Sequence, residues 1–256
     1  MIKTEDTLDK NLVRQRFTQA LYHYDEHACV QQRINRLLIS LLQQYSDGSF
    51  QQAFELGCGT GDLTQLLQEN FHIKDWFLND LCALEKHIQH KLPSLNFTFI
   101  EGDMETIDFP QGNDLIASAS AVQWLSQPYH FVQKCAQALK PDAWLLLSTF
   151  TESNLKEIIA LTHIGLDYPS ITDWQAWLAT DFELIVCQQE NWILPFTSPI
   201  EVLQHLKLTG VTGIQRQGWS PSQYRTFIRD YQQHFSLSSG EVSLSYSPLF
   251  LLARKK

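Results

Sequence analysis

Near the N-terminus the apolar positions recur at helical spacing. Leu37, Leu38, Leu41 and Leu42 share one side of a helical pattern that runs from about Leu8 to Tyr45, where Asp47-Gly48 ends it. The rhythm then alternates. Gln52–Leu56, Trp76–Asp80, Asn96–Gly102, Asp114–Ser120 and Ala143–Phe150 read as strands, with helices over Asp62–Asn70, Leu81–Leu92 and Tyr129–Leu139. Strands alternating with helices predict βαβ units and a parallel sheet. After Phe150 helical patterns crowd in at Asn154–Leu166, Asp173–Ala179, Ile200–Leu208 and Ser222–Phe235, with strands over Glu183–Pro195 and near Val242–Arg254. These late helices and the N-terminal one are candidates to cover the sheet's carboxyl edge, where ligands sit in open α/β sheets.

Composition narrows the class. Apolar residues make up 44% of the 256 and charged residues 18%, enough for a sizeable core and unlike a disordered chain. A net charge of −9 argues against a general nucleic-acid binder, which needs a basic surface. The longest apolar runs, such as Trp144–Leu147 and Leu249–Ala253, are strand-sized and too short to span a bilayer. The opening MIKTEDTLDK carries charges where a secretory signal needs an apolar stretch. Five cysteines, an odd number without a CxxC pair, read as reduced thiols and neither a disulfide frame nor a zinc site. The expectation is a cytoplasmic protein with no metal and no membrane partner.

The chemistry starts at FELGCGTGDL, residues 54–63. Gly57, Gly59 and Gly61 follow a predicted strand and open a helix, spaced GxGxG and not the GxGxxG of dinucleotide enzymes. Glycines let bare backbone approach a ligand. Glu55 ahead of the loop and Asp62 inside the helix make a poor anion cradle and suit a cationic ligand. Asp80 ends the second strand, 19 residues after Gly61, where a carboxylate can accept hydrogen bonds from both ribose hydroxyls. As a plain structural residue Asp80 would cap a helix instead.

The ELGCGTG stretch resembles motif I of class I S-adenosylmethionine-dependent methyltransferases, and Gly102-Asp103-Met104-Glu105 resembles their adenine-binding segment. A narrower resemblance spans nearly the whole chain. Phe17, Ala20, Tyr24, Ala28 and Gln31 fit FxxAxxxYxxxAxxQ, and Ala121-Val122-Gln123-Trp124, Ser148-Thr149-Phe150, Leu206-Lys207 with Gly210, and Ser245-Tyr246 complete the set. Together they are similar to the BioC-type malonyl-acyl-carrier-protein O-methyltransferases of biotin synthesis. Two departures are Asp142-Ala143, where a glycine pair is common, and Ala119, where an asparagine is often seen.

The resemblance implies a Rossmann-like α/β fold with seven strands, the last antiparallel, a helical N-terminal cover and late helical insertions. The whole chain, 1–256, is expected to form one methyltransferase domain: 1–46 as the cover, 47–150 as the cofactor-binding core, and 151–256 as the remaining strands with their insertions. It also implies S-adenosylmethionine as cofactor, bound by Glu55, Gly57, Gly59, Gly61, Asp80, Leu81, Asp103, Met104 and Ser120. The implied partner is an acyl carrier protein bearing a malonyl thioester, or malonyl-coenzyme A. The nucleophile would be the malonyl carboxylate, already ionised at neutral pH, so no general base is required. Tyr24, Gln123 and Lys207 are the candidate catalytic residues. Tyr24 either closes over the cofactor or pins the N-terminal helix. Gln123 would orient the carboxylate; Trp124 reads equally as core. Lys207, alone in LQHLKLTG, either reaches solvent or meets an anion. Arg14, Arg16, Arg33 and Arg36, or Arg216, Arg225 and Arg229, are a dock for an acidic carrier or ordinary surface charge. His23 and His27 read as a solvated face or as substrate contacts, and Cys58 as a small loop filler. Two other readings stand beside this one: another small-molecule methyltransferase, acting on a free carboxylic acid or a quinone precursor, and a cofactor-binding protein without turnover.

Overall fold

The computed structural model describes residues 9–210 and 219–256, which form two compact units. The larger comprises Ala28–Glu152, Tyr168–Glu190 and Ser247–Lys256. Its seven strands are β1 (Ser49–Leu56), β2 (His72–Asp80), β3 (Thr98–Glu101), β4 (Asn113–Ala119), β5 (Leu139–Phe150), β6 (Phe182–Gln189) and β9 (Pro248–Lys255). They lie in the order β3-β2-β1-β4-β5-β9-β6, with β9 antiparallel to both neighbours and the remaining pairings parallel. The helices of this unit are α2 (Cys29–Tyr45), α3 (Asp62–Asn70), α4 (Glu85–Lys91), α5 (Pro128–Ala138) and α7 (Ile171–Ala179).

The apolar runs explain the layering. Leu145, Leu146 and Leu147 of β5 and Phe250, Leu251 and Leu252 of β9 are all buried, as expected for strands covered on both faces. On α2, Val30, Ile34, Leu38 and Leu42 form one buried stripe at helical spacing. Phe54, Ile116, Phe131, Trp174 and Phe182 join strands and helices in one core. Burying side chains of this size contributes about 1.5–3 kcal/mol each.

The smaller unit comprises residues up to His27, Ser153–Asp167 and Asn191–Tyr246. It contains α1 (Lys10–His27), α6 (Lys156–Thr162), α8 (Pro199–Leu208) and α9 (Pro221–Phe235), with β7 (Trp192–Phe196) and β8 (Val242–Tyr246) paired antiparallel. Ser198 and Ser220 cap α8 and α9 ahead of a proline in the first turn. The buried Glu157 carboxylate accepts from the Ser245 amide (2.9 Å) and hydroxyl (2.6 Å) and from the Ser243 hydroxyl (3.3 Å).

The α/β class and the antiparallel last strand are as the sequence predicts, and several boundaries differ. The single N-terminal helix is two, broken at Ala28 (φ −81°, ψ 37°); its predicted start at Leu8 lies outside the described residues. The strands expected over Glu183–Pro195 and Val242–Arg254 are each two strands, divided at Glu190-Asn191 and at Ser247, and the halves belong to different sheets. Each pattern reads as one extended apolar segment, and neither the polar run Gln188–Asn191 nor Ser247 by itself shows that the chain leaves one sheet for the other. The predicted helix at Leu81 starts at Glu85. The Asp142 that replaces a glycine takes φ +64° and is held by Arg254, whose Nη2 lies 3.1 Å from its carboxylate. Among the described residues no helix is long and apolar enough to cross a membrane, and all five cysteines are free.

Candidate functional site

Where β1 ends, Gly57, Gly59 and Gly61 take φ of +68°, +53° and +79°. A side chain on Gly57 would collide with the Ala121 Cβ, whereas one on Gly59 would meet nothing within 4 Å, so Gly59 faces open space. Gly61 precedes α3, with Asp62 in its first turn. The loop is tied to the neighbouring strand: the Cys58 amide donates to Asn79 O (2.9 Å) and the Gly59 amide to Asp80 Oδ2 (2.9 Å). Asp80 Oδ1 accepts from the Cys82 amide (2.8 Å). Asp80 therefore fastens two loops together; it caps neither α3 nor α4. The Cys82 side chain and the Leu81 amide also donate to it. Half-exposed Leu81 follows it.

Glu55 is buried below the loop and accepts from the Thr64 hydroxyl (2.7 Å). Burial, opposed by that bond and reinforced by Asp62 and Asp80, pushes its carboxyl up to about 8. Burial also raises Asp80, against the pull of its backbone donors. Cys58 is buried in the loop, its thiol pushed up first by burial and then by Asp80 and Glu55, which suits a filler and not a nucleophile.

The segment after β3 is braced from two sides. Asn79 Nδ2 donates to Ile100 O (2.8 Å) and Gly102 O (2.9 Å). Asp103 Oδ1 accepts from the Glu105 amide (3.0 Å), and the Met104 methyl lies 3.5 Å from where a Gly57 Cβ would stand. Lys134 on α5 donates to Met104 O (3.1 Å), Glu105 O (3.1 Å) and Ile107 O (2.7 Å), and its Nζ lies 4.3 Å from the Phe109 ring centre. The Glu105 carboxylate accepts from the Ser126 (3.0 Å) and Gln127 (2.7 Å) amides. Sequence pattern missed Lys134 because its contacts are backbone oxygens some 30 residues away in the chain.

After β4, Ser120 stands at φ +52°, a strained conformation for a residue with a side chain. Its amide donates to Ser148 Oγ (3.0 Å), and its carbonyl accepts from Gln123 Nε2 (2.6 Å). Ser120 Oγ, Gln123 Oε1 and Thr149 Oγ1 are buried without partners, polar atoms that a ligand would satisfy. Trp124 is buried in a single 3-10 turn, Val122–Trp124.

The larger unit thus gathers Glu55, the three glycines, Asp80, Leu81, Asp103, Met104, Ser120 and Gln123 along one sheet edge. Open space at Gly59, acids under the loop and unpartnered hydroxyls beyond β4 fit a cationic nucleoside. Tyr24 and Lys207 lie in the smaller unit. Tyr24 is half-buried on α1 with its ring 6.2 Å from Phe17. Lys207 is exposed on α8; the buried titratable residue of that frame is His205, whose Nε2 lies 2.8 Å from Tyr246 Oη and whose pKa burial lowers to about 4, with His27 adding to the shift. His23 is exposed. Arg14, Arg33, Arg36, Arg225 and Arg229 are exposed, Arg16 is half-buried, and Arg216 lies outside the described residues.

Sheet order, glycine loop and acid positions together define a class I methyltransferase. Residues 54–147 match the family described as "Methyltransferase domain". Among solved structures the fold is similar to the YcgJ protein of Bacillus subtilis (TM-score 0.61, 16% identity, 86% of this chain and 99% of that one). It is similar also to a Bacillus halodurans methyltransferase (TM-score 0.61, 16% identity, covering 84% and 97%). In sequence the chain is 46% identical to malonyl-[acyl-carrier protein] O-methyltransferase of Haemophilus influenzae, over 97% of this chain and 95% of that one. To the Haemophilus ducreyi protein of the same name it is 42% identical, over 97% and 98%. The chain belongs to the malonyl-[acyl-carrier protein] O-methyltransferase family.

Asp80→Ala should weaken S-adenosylhomocysteine binding by roughly 1.5–3 kcal/mol, the scale of hydrogen bonds to a charged group. Because Asp80 holds two amides, hydrogen exchange at Gly59 and Cys82 should quicken in the same variant. Unchanged affinity in a folded variant would leave Asp80 a purely structural clamp.

Glu55 supplies a pH test. Its ordinary value of 4.5 rises to about 8 in the fold, so between those values the native state binds a proton that the unfolded chain has released. Stability of the ligand-free protein should therefore fall as pH rises from about 5 to 8 and level off above. Melting temperature against pH should show a shallower fall in Glu55→Gln; identical slopes would contradict the assignment.

Proposed function

We propose that this chain transfers a methyl group from S-adenosylmethionine to the free carboxylate of malonyl-acyl carrier protein in the cytoplasm. The product is the malonyl methyl ester that starts pimeloyl synthesis for biotin. The observation that carries this reading is similarity to relatives of that name over 97% of the chain. The carboxyl-rich glycine-loop edge supports it from a separate direction, because its acceptors suit a cation better than a pyrophosphate.

When bound, the cofactor supplies a methyl group already activated on a positive sulfonium. The residues of the chain bind and orient. The glycine loop brings bare backbone to the ligand, Asp80 holds the ribose with Leu81 beside it, Asp103 and Met104 receive the adenine, and Ser120 closes the far side. Gln123 braces the Ser120 turn with one amide hydrogen and offers the other to the substrate carboxylate. Tyr24 shapes the approach of the reacting groups, and Lys207 meets the malonyl carboxylate as a permanent cation. A carboxylate moved out of water needs such a partner, since its unpaired burial costs several kcal/mol. Catalysis of this kind works by proximity and desolvation, with the reacting atoms held roughly 3–3.5 Å apart and in line.

Incubation with labelled cofactor and malonyl-acyl carrier protein, malonyl-coenzyme A or free malonate should yield a base-labile methyl ester on the first. With cofactor saturating, the rate should stay nearly flat between about pH 6 and 9, because a carboxylate nucleophile is already ionised there and needs no general base. A steep rise with pH would exclude the carboxylate as nucleophile, and cofactor binding without transfer to any acceptor would leave a binding protein.

Lys207→Met should raise KM for the malonyl thioester and leave cofactor affinity alone, while Tyr24→Phe should lower kcat more than cofactor affinity. Wild-type kinetics in either variant would remove that residue from the reaction.

A further inference from the structure

The buried stripe of α2 contains two amides, Gln31 (8% exposed) and Asn35 (6% exposed), one helical turn apart among valine, isoleucine and leucine. Buried amides in such a frame are unfavourable unless their polar atoms are bonded. Asn35 Nδ2 donates to Asp62 Oδ2 at 2.7 Å, which fixes which end of that amide is which. Asn35 Oδ1 is left buried with no partner, and so is Gln31 Oε1.

Asp62 opens α3 directly after Gly61. Buried Glu55 lies within electrostatic reach of both Asp62 and Asp80, and Lys91 opposes them with the smallest influence on it. Asn35 ties α2 to this flank of the glycine loop, and Gln31 lies one helical turn before it on the same buried side, so the polar atoms that α2 brings there unpaired are acceptors beside the carboxylates. Such a surface rejects anions. It selects a cation with several N–H donors, and a primary ammonium has three. A sulfonium has none, so amide oxygens gain far less from it.

We propose that Gln31 Oε1 and Asn35 Oδ1, together with Asp62, bind the α-ammonium group at the amino-acid end of the methyl donor. This rests on reading the glycine loop as the S-adenosylmethionine site and adds to it two residues of α2 as ligand contacts. It also accounts for polar residues inside an otherwise apolar helix face.

The test compares S-adenosylhomocysteine, its deamino analogue and 5′-methylthioadenosine by calorimetry on the full chain, wild type against Asn35→Leu and Gln31→Met. Loss of a hydrogen bond to a charged group corresponds to about 10-fold or more in affinity. Each variant should lose that much for S-adenosylhomocysteine and bind the other two, which lack the ammonium, as wild type does. Equal losses on all three ligands, or none on S-adenosylhomocysteine, would overturn the proposal. Gln31→Glu, which keeps the acceptor and adds charge, should increase discrimination between S-adenosylhomocysteine and its deamino analogue; reduced discrimination would also overturn it. Wild-type protein that binds none of the three would refute the cofactor site itself, a result separable from failure of the ammonium contact.

Discussion

Parallel strands must end somewhere, and at their carboxyl ends the ladder no longer satisfies backbone donors and acceptors. Buried polar groups of that kind need partners from elsewhere. In this protein side chains from neighbouring strands and helices supply them. Ser118 donates to Leu56 O, Asn79 to Ile100 O and Gly102 O, and Lys134 to three carbonyls after β3, while Asp80 accepts the Gly59 and Cys82 amides. The cofactor edge is the by-product of this solution. Loops that replace the ladder are held rigid by it, and the backbone they leave facing outward is available to a ligand. Preorganisation of this sort limits the ordering that binding would otherwise have to drive.

The same edge concentrates carboxyl groups. Glu55 lies buried and strongly raised, with Asp62 and Asp80 contributing to the shift. A carboxyl in that state holds its proton in the range where the unfolded chain has lost it, so ligand-free stability depends on pH. Acidity at the loop also separates this site from a dinucleotide cradle on a similar sheet, where the helix N-terminus must stay open to phosphate. The fold is shared among many functions, and the residues at its edge are what differ.

Much of this was legible in the primary structure for local reasons. Glycine spacing, the acid at the end of β2 and the alternation of strands with helices are short-range patterns that a local reading can find. Asp62–Asn70 was read with the bounds that α3 shows, because an acid after glycine opens it and its apolar positions recur within the same few turns. Strand β9, buried on both faces, was visible as an apolar run. Its antiparallel direction came from likeness to a class, since apolarity carries no sign of direction.

Sequence by itself determined the class, the glycine loop after β1, and the acids at Glu55, Asp62 and Asp80 that flank it. Tertiary structure alone decided the break at Ala28, the division of both long strand patterns between two sheets, and the exposure of Lys207 while His205 turns inward to Tyr246. It alone showed Lys134 gathering carbonyls some 30 residues away and Asn35 reaching Asp62, 27 residues away. The reason is common to all of these. A periodic pattern reports which face of a segment is apolar, but a hydrogen bond between distant segments exists only once the chain has brought them together.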